Sequence, residues 1–382
     1  MSVTTAEQSV DWRQPVELVR LGTPCYVFEP GRVLAEYASL KAALGTALTV
    51  SLKANPNPDL FVRCAHAFDD GVELASIGEL NTVVGRSTVA KFVNTPAMDA
   101  DLMAAALASR ATLVLDSPQQ VEMFCSLQCR VAKSPVVLRL SAAALAGNPA
   151  GIGPGDHFGM DPQDALAAIG HLGALGHRVR GLHVFAGSNT FDTWSPLLAT
   201  AMERLLPAVE VALGAPPEMI NLGGGFPEDW RAHPQAFERY RHLLRGLAGK
   251  TRIYHEAGRA VFALAGRFVT QVLALKSVNG RAIAVCDGGL AQCFRLAQTE
   301  RVIKRLARPH VVRMSEAAAT TLSSPLRIVG NTCSRADVIG ELAPGTAIAP
   351  GDRLIFNGCG AYSTYSPVSF LSLRAPQTYL IS

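Results

Sequence analysis

Ala47-Leu48-Thr49-Val50-Ser51-Leu52-Lys53 is the first of eight short apolar runs, and segments with apolar residues at helical spacing separate these runs. The runs are Ala47–Lys53, Val72–Ser76, Ala90–Asn94, Thr112–Asp116, Val136–Ser141, Val179–Gly187, Met219–Gly223 and Arg252–Glu256. Repeated strand–helix units with right-handed crossovers predict a parallel (β/α)8 barrel of the TIM type. A doubly wound open sheet is the alternative, but it explains less well why polar residues close almost every run.

The lysine at the end of the first run is an unusual choice if that strand is buried. A buried ammonium must lose its proton or find a partner, and either outcome gives an amine that can attack a carbonyl carbon. The alternative is that the strand frays here and that Lys53 points into solvent.

The sequence pattern changes after about residue 265. The later predicted strands are Gly266–Ser277, Arg281–Asp287, Val311–Met314, Leu326–Val329, Arg353–Asn357 and Ser369–Leu373. Turn residues separate them and little helical periodicity is present, which predicts an antiparallel β-barrel or sandwich domain. The early run Pro24–Phe28 also predicts a strand. We therefore expect a barrel at residues 29–264 and a β domain formed by residues 1–28 together with 265–382.

Composition excludes several classes of protein. The 382 residues are 49% hydrophobic and 17% charged, with a net charge of +4 and no basic block that would indicate a nucleic-acid partner. The eight cysteines are scattered and form no metal-ligand pattern, so we expect reduced thiols and no metal. The segment Met1–Trp12 lacks the apolar core of a signal peptide, and no apolar run approaches a membrane span. A cytoplasmic protein without a membrane partner is expected.

The polar residues at the strand ends are the candidate site, because the carboxyl ends of barrel strands carry the chemistry. In chain order they are Lys53, Glu73 with Ser76, Asn94, Asp116, Arg139, His183, Asn221 with Gly223 to Gly225, and Glu256 with Arg259. The turn Gly223-Gly224-Gly225-Phe226-Pro227 can present N–H groups to a phosphate, although a tight turn also selects glycine.

Each of the other candidates also has a simpler explanation. His183 could be an ordinary buried histidine, Glu256 and Arg259 a structural ion pair, and Glu73 a solvated carboxylate. Their combination has no such explanation. A lysine amine, a phosphate-type turn, an imidazole that can stack on a ring and a carboxylate that can hold a ring nitrogen together match pyridoxal 5′-phosphate.

The motifs that contain these residues resemble those of the fold-type III pyridoxal-phosphate decarboxylases, the ornithine, diaminopimelate and arginine decarboxylase family. The similar segments run over nearly the whole chain. They are Ser51-Leu52-Lys53-Ala54-Asn55, Val72–Ser76, His183, Gly223–Pro227, His255-Glu256-Ala257-Gly258-Arg259, Gly330–Asp337 and Tyr362. Ala257 stands where the family has proline in its Glu-Pro-Gly-Arg motif.

The resemblance implies an α-decarboxylase with the barrel-plus-β architecture of the related alanine racemases, and an obligate homodimer with two shared active sites. The implied catalytic residues are Lys53, Cys333, His183 and Glu256. The implied cofactor-binding residues are Lys53, Glu73, His183, Ser188, Gly224, Gly225, Glu256, Arg259 and Tyr362. The implied substrate-binding residues are Arg139, Arg295, Cys333, Ser334 and Asp337, with Cys333 and Asp337 serving the Lys53 site of the other subunit.

Three departures from the family pattern concern the substrate. Ser334 stands where ornithine and diaminopimelate enzymes have an acid that holds the distal amine. The segment Arg295-Leu296-Ala297-Gln298-Thr299 keeps only the arginine of the element that binds the distal carboxylate of diaminopimelate. The segment from His183 to Asn189 is longer than usual and is similar to a branch of secondary metabolism. We therefore expect an amino-acid conjugate, such as a citryl-diamino acid of siderophore synthesis, as substrate.

Alternatives remain at this point. A diaminopimelate or other diamino-acid decarboxylase would share every motif. An amino-acid racemase would share the barrel and the lysine, but Glu256 and the Cys333 segment argue against it. A non-catalytic pyridoxal-phosphate carrier would share the lysine and the glycine turn, but such carriers are single barrels.

Overall fold

The computed structural model describes residues 21–128, 134–147, 157–247, 249, 251–298, 305–314, 319–363 and 370–381. Backbone contacts divide the chain into two units. One unit runs from Leu34 to Val261, and the other combines the described residues up to Val33 with those from Phe262 onward. Each unit is described separately below.

The unit from Leu34 to Val261 contains a closed barrel of eight strands in which every neighbouring pair is parallel. The strands are β2 (Ala47–Ser51), β3 (Val72–Leu74), β4 (Lys91–Asn94), β5 (Thr112–Leu115), β6 (Val136–Leu140), β7 (Val179–Val184), β8 (Met219–Asn221) and β9 (Arg252–Ala257). The barrel closes where β2 pairs with β9, from Ala47 opposite Tyr254 to Val50 opposite Ala257. The predicted (β/α)8 barrel is confirmed: each strand begins within one residue of its predicted run and ends within three residues of it.

Helices follow the strands. They are α1 (Pro30–Leu44), α2 (Pro58–Cys64), α3 (Ile77–Val83), α4 (Ala100–Ala108), α5 (Pro118–Gln128), α6 (Ala142–Leu145), α7 (Pro162–Ala174), α8 (Ser195–Leu213), α9 (Pro234–Leu247) and α10 (Arg259–Phe262). Several begin at a side-chain cap, because the first backbone N–H groups of a helix lack partners within the helix. Ser76 accepts a hydrogen bond from Glu79 N at 3.2 Å, and Asp99 accepts one from Leu102 N at 2.8 Å. The caps fix where each strand-to-helix turn ends.

Large side chains fill the inside of the barrel. One buried cluster contains Ala47, Phe92, Val114, Val137, Met219 and Tyr254, which come from six different strands. Gly181 on β7 is required at its position, because a Cβ there would lie 1.7 Å from Met219 O. The packed interior leaves the polar residues at the carboxyl ends of the strands as the place for chemistry.

The second unit is built mainly from β-sheet. Its strands are β1 (Cys25–Phe28), β10 (Gly266–Val278), β11 (Arg281–Cys286), β12 (His310–Val312), β13 (Thr320–Thr321), β14 (Leu326–Val329), β15 (Val338–Leu342), β16 (Ala347–Ile348), β17 (Arg353–Asn357) and β18 (Gln377–Leu380), with the short helix α11 (Phe294–Ala297). The main sheet has the order β12-β17-β10-β11-β14-β15, and β1 pairs with both β10 and β18. This agrees with the expected β domain.

Two details of this unit differ from the prediction. The sheet is mixed, because β11 pairs with β14 and β1 pairs with β18 in parallel. The predicted strand Ser369–Leu373 is wrong over its described residues, where a 3₁₀ turn covers Phe370–Ser372. Leu371 and Ser372 have φ of 58° and 52°, in the left-handed region that a strand cannot use.

In the described part of the chain, no helix combines the length and the apolar character that crossing a membrane requires.

Candidate active site

Lys53 lies just after the end of β2, on the 3₁₀ turn Leu52–Ala54. Its ammonium is 3.2 Å from Glu73 Oε1, and its side chain keeps 43% of its surface exposed. The result lies between the two expectations, because the strand ends before Lys53 and yet the ammonium still finds a partner. That partner is a carboxylate only 2% exposed, which holds the amine at the carboxyl end of the barrel.

Glu73 on β3 connects Lys53 to the neighbouring strands. Its Oε2 accepts a hydrogen bond from Ser51 Oγ at 2.5 Å, and its Oε1 accepts one from Asn94 Nδ2 at 3.1 Å. A buried carboxylate needs hydrogen-bond donors, and here the side chains of Ser51, Lys53 and Asn94 provide them. Glu73 therefore holds the Lys53 amine in place.

Arg139 on β6 is held from three sides. Its Nη1 lies 3.2 Å from Asp116 Oδ2 and 3.1 Å from Asn94 Oδ1. Its guanidinium lies 4.4 Å from the centroid of the Phe158 ring, a cation–π contact. Asp116 also accepts a hydrogen bond from Gly159 N at 3.1 Å, so the residues after β5 and the segment at Phe158 together fix the arginine.

His183 and Glu256 meet at the ends of β7 and β9. His183 Nε2 lies 2.9 Å from Glu256 Oε1, and the same oxygen accepts a hydrogen bond from Asn221 Nδ2 at 2.8 Å. Both of these bonds go to Oε1, and Oε2 accepts no hydrogen bond from the described residues. Glu256 therefore keeps one oxygen for a further donor.

The charge of Glu256 follows from its neighbours. Burial alone would raise the pKa of this carboxyl, but the attraction and hydrogen bond of His183, followed by the attraction of Lys53 and Arg139, outweigh burial and lower the pKa to about 2. Glu256 is therefore ionised at neutral pH.

His255, the neighbour of Glu256 on β9, anchors that strand. Its Nδ1 lies 2.8 Å from Thr46 Oγ1, and its Nε2 lies 3.0 Å from the Tyr240 hydroxyl. Burial lowers the pKa of His255 to about 3, although Glu256 opposes this shift. His255 is thus neutral at physiological pH and ties β9 to α9.

The glycine turn after β8 requires residues without a side chain. Gly223 and Gly225 have φ of +67° and +94°. A Cβ on Gly224 would lie 2.5 Å from Glu256 O, and one on Gly225 would lie 2.8 Å from Gly187 O. The N–H groups of Gly224 and Gly225 have no hydrogen-bond partner among the described residues. The turn can therefore offer them to an anion.

Ser188 lies in the loop after β7, and Arg259 lies after β9. Ser188 follows Gly187, whose carbonyl is the group that a side chain at Gly225 would strike. Arg259 is the first residue of α10, and Gly258 separates it from the end of β9. The structure thus places Ser188 next to the glycine turn, and Arg259 three positions after Glu256.

The predicted residues of the loop Gly330–Asp337 lie in the other unit. Cys333 is exposed, and Ser334 is half-buried. Asp337 is 2% exposed and points into its own loop. Its Oδ1 accepts a hydrogen bond from Leu290 N at 2.7 Å, and its Oδ2 accepts bonds from Thr332 N at 2.9 Å and Thr332 Oγ1 at 2.7 Å. Asp337 therefore organises the loop, and its predicted contact with substrate stays a prediction.

Arg295 and Tyr362 lie on adjoining segments of the same unit. Arg295 Nη1 donates a hydrogen bond to Gly358 O at 3.0 Å. Phe294 N donates one to Ser363 O at 2.8 Å, which ties α11 to the turn that contains Tyr362. Tyr362 has φ of 55°, so this turn sets the direction of its side chain.

The barrel brings together five of the predicted site residues, and the remaining ones lie after β7, β8 and β9 or in the other unit. Those brought together are Lys53, Glu73, Arg139, His183 and Glu256. Those in the other unit are Arg295, Cys333, Ser334, Asp337 and Tyr362. Their approach to the barrel residues stays a prediction.

Sequence reasoning gave no role to several residues of this network. Asn94, Asp116 and Asn221 were visible at strand ends, and their position there was the available indication. Ser51 and Phe158 had none, because a serine inside a strand and a phenylalanine after a glycine-rich segment are common.

The residues at the barrel mouth fit pyridoxal 5′-phosphate. Arg139 Nε and His183 Nδ1 are buried polar atoms without a hydrogen-bond partner in the described part of the structure. The glycine turn offers unpaired N–H groups for a phosphate, Glu256 offers an ionised oxygen for a ring nitrogen, and Lys53 offers the amine. A parallel barrel with this set of groups defines the class of pyridoxal-phosphate-dependent barrel enzymes.

Known proteins agree with this class. The family model described as "Pyridoxal-dependent decarboxylase, pyridoxal binding domain" matches residues 28–271, which is more than half of the chain. The chain belongs to this family of pyridoxal-dependent decarboxylases. It is an enzyme, a carboxy-lyase that acts on amino acids with pyridoxal 5′-phosphate as cofactor.

Individual relatives are distant but cover most of the chain. The L-glutamyl-[BtrI acyl-carrier protein] decarboxylase of Niallia circulans is 25% identical over 94% of this chain and 88% of its own length. The diaminopimelate decarboxylase of Pseudomonas aeruginosa is 26% identical over 90% of this chain and 84% of its own length. The fold is similar to that of the lysine/ornithine decarboxylase of Vibrio vulnificus, with a TM-score of 0.78 and 22% identity over 96% of both chains.

The residues of the site have separable tasks. When bound, the cofactor supplies an electron sink for the charge left by departing CO2. Lys53 would hold the cofactor covalently and give way to the substrate amine. Glu256 would accept a hydrogen bond from the ring nitrogen, and its fixed negative charge would keep that nitrogen protonated. His183 would support the ring, and the N–H groups of Gly224 and Gly225 would bind the phosphate.

Replacing Gly225 with alanine is expected to weaken cofactor binding by about five- to thirtyfold. The backbone at φ +94° disfavours any side chain, and the new Cβ would strike Gly187 O at 2.8 Å. Left-handed strain costs about 1–2 kcal/mol, and about 1.4 kcal/mol is a factor of ten in affinity. The dissociation constant of the cofactor, measured by absorbance titration, checks this.

Gly85→Ala is the matched control for that variant. Gly85 has φ of +78°, and no atom lies within 4 Å of the point that a Cβ would occupy there. It should lose stability through strain alone and keep cofactor affinity. Equal affinity in Gly225→Ala and wild type would show that the turn does not bind the phosphate.

Proposed function

We propose that the substrate is an amino acid carrying an acyl group or a carrier, of the kind found in siderophore synthesis, such as a citryl-diamino acid. The observation that carries this proposal is the lack of an available carboxylate on the described loop Gly330–Asp337. A free diamino acid ends in an ammonium, and recognition of an ammonium needs an anion or several acceptors.

The side chains that the loop offers are neutral or cationic. They belong to Cys333, Ser334 and Arg335, while the one carboxylate of the loop, Asp337, is used by the backbone of Leu290 and by Thr332. Ser334 Oγ also accepts a hydrogen bond from Ala336 N at 3.2 Å. These groups suit a distal end that is neutral or negatively charged, which an acylated amine or a citryl group provides.

The relative in Niallia circulans supports a conjugate. Its name gives a glutamyl group attached to an acyl-carrier protein as its substrate. Diaminopimelate decarboxylases also match the chain, and a diamino acid remains the second candidate because Arg295 could bind a distal carboxylate. The family match favours decarboxylation over racemisation.

The roles of Cys333 and of a second subunit belong to the same proposal. Cys333 would deliver a proton to Cα after CO2 leaves. The family resemblance implies that the Cys333 segment would enter the site of a partner subunit, so the active form would be a homodimer with two shared sites. Asp337, held by Leu290 and Thr332, would then position the loop that carries Cys333.

Measurement of CO2 release across a substrate panel tests the proposal. The panel contains meso-diaminopimelate, ornithine, lysine, arginine, a citryl-diamino acid and a glutamyl thioester. We expect kcat/KM for a conjugate to exceed that for every free diamino acid by at least about tenfold. A charge-assisted hydrogen bond contributes about 1.5–3 kcal/mol, so an ammonium without its anion loses about that much.

Ser334→Asp is the matched variant for this screen. It restores a carboxylate next to Cys333 and should shift the preference toward free diamino acids. Higher kcat/KM for diaminopimelate than for any conjugate in the wild-type enzyme would refute the proposed substrate and leave the decarboxylase assignment intact.

A further inference from the structure

Asn221 connects two parts of the site that bind opposite ends of the cofactor. It is the last residue of β8 and is 3% exposed. Its Nδ2 donates a hydrogen bond to Glu256 Oε1 at 2.8 Å, and its Oδ1 accepts one from Gly223 N at 2.9 Å. One carboxamide thus joins the carboxylate for the ring nitrogen to the first residue of the phosphate turn.

The chemistry of both partners fixes the carboxamide. A backbone N–H can only donate and an ionised carboxylate can only accept, so one orientation of the Asn221 side chain satisfies both bonds. Glu256 is ionised because its pKa is lowered to about 2, which excludes the opposite arrangement. Asparagine meets both needs because its donor and its acceptor are separate atoms.

We propose that Asn221 is a positioning residue that sets the orientation of Glu256 and of the turn Gly223–Gly225 as one unit. It keeps Glu256 Oε1 occupied, so Oε2 faces the ring nitrogen. It also holds the N–H of Gly223 inward, so the N–H groups of Gly224 and Gly225 remain for the phosphate. Recognition of the two ends of the cofactor is therefore coupled through this residue.

Two substitutions distinguish the hydrogen bond from Asn221 to Glu256 from the hydrogen bond that Asn221 accepts from Gly223. Asn221→Asp keeps the acceptor for Gly223 but places a second carboxylate at 2.8 Å from Glu256, where like charges force one of the pair to take up a proton. Asn221→Ala removes both links. The first variant should impair recognition of the ring nitrogen alone, and the second should impair recognition at both ends.

Binding of three ligands to the cofactor-free full-length protein measures each end. The ligands are pyridoxal 5′-phosphate, pyridoxal, which lacks the phosphate, and the 1-deaza analogue of pyridoxal 5′-phosphate, which lacks the ring nitrogen. A preference here is the ratio of the dissociation constants of two ligands. For Asn221→Asp we expect the preference for pyridoxal 5′-phosphate over the deaza analogue to fall at least about tenfold. The preference of the same variant for pyridoxal 5′-phosphate over pyridoxal should stay unchanged. For Asn221→Ala we expect both preferences to fall.

Gln120→Ala is the control for a merely structural role. Gln120 is also a buried carboxamide that joins two strand ends, since its Nε2 donates to Thr95 O at 3.1 Å and its Oε1 accepts from Asp116 N at 2.8 Å. This variant should melt at a lower temperature and keep both preferences. If Asn221→Ala weakens all three ligands by one common factor, or none of them, the proposed positioning role is overturned.

Discussion

Lys53→Ala is expected to lose the visible absorbance of the bound cofactor and to lower kcat by at least about a thousandfold. The amine is the only group with which Lys53 can form a covalent link, and loss of a covalent catalyst typically costs several orders of magnitude. Removal of the ammonium also leaves Glu73, at 2% exposure, without the ion pair at 3.2 Å. Absorbance spectra and CO2 release check both effects.

Two further variants keep that result interpretable. Lys53→Arg can retain a cation beside Glu73 but offers no amine that condenses with an aldehyde, so it should fold normally and remain inactive. Lys41→Ala removes a lysine that also forms an ion pair, at 2.6 Å from Asp70, and should keep both absorbance and turnover. Retention of the visible band in Lys53→Ala would refute the assignment of this lysine.

Glu256→Gln is expected to lower kcat by about a hundred- to a thousandfold while the protein still binds the cofactor. The variant keeps the size of the side chain but removes the charge that would keep the ring nitrogen protonated, and removal of one electrostatic catalytic contact costs about 2.7–4 kcal/mol. Single-turnover rates of CO2 release separate this loss from slower substrate binding.

The pH dependence gives a second measure of Glu256. Its folded pKa of about 2 is below the ordinary value of 4.5, so its contribution to stability is present above 4.5 and is lost as the pH falls toward 2. Between about pH 5 and 9 the charge of Glu256 is constant, and kcat of the wild type should show no titration from this group. Glu256→Gln should flatten the loss of stability in acid.

Glu79→Gln is the matched control for the charge removal. Glu79 lies in the first turn of α3, and its carboxylate accepts a hydrogen bond from Ala75 N at 2.7 Å. It should keep kcat within a few-fold of the wild type. Equal kcat in Glu256→Gln and the wild type would contradict the role of Glu256 at the ring nitrogen.

The barrel could be predicted from sequence because each of its strands is a short apolar run followed by a polar residue and a helical segment. The pattern is local: β2 to β9 begin within one residue of the predicted runs and end within three residues of them. The β unit was predicted less completely. The strands Val338–Leu342 and Gln377–Leu380 were missed, because the first contains a glycine and an acid and the second contains few apolar residues. Their pairing depends on partners elsewhere in the sequence.

The candidate site was predicted by residue type and strand position, and this identified the charged groups. It listed Asn94 and Asn221 at strand ends but gave them no role, because an asparagine at a strand end is also an ordinary turn residue. The exposure of Lys53 could not be predicted either, since it depends on β2 ending at Ser51. For Asp337, only the hydrogen bonds from Leu290 and Thr332 revealed that the carboxylate is turned inward.

The pairing of β1 with both β10 and β18 has a consequence for biosynthesis. The strand Cys25–Phe28 leaves the ribosome early, but its partners Gly266–Val278 and Gln377–Leu380 are made after the whole barrel. Because domains generally fold as units during translation, the barrel can close before the strands that pair with β1 have been made. A nascent chain released before residue 377 would therefore carry an unpaired strand edge, which is a target for chaperones and for aggregation.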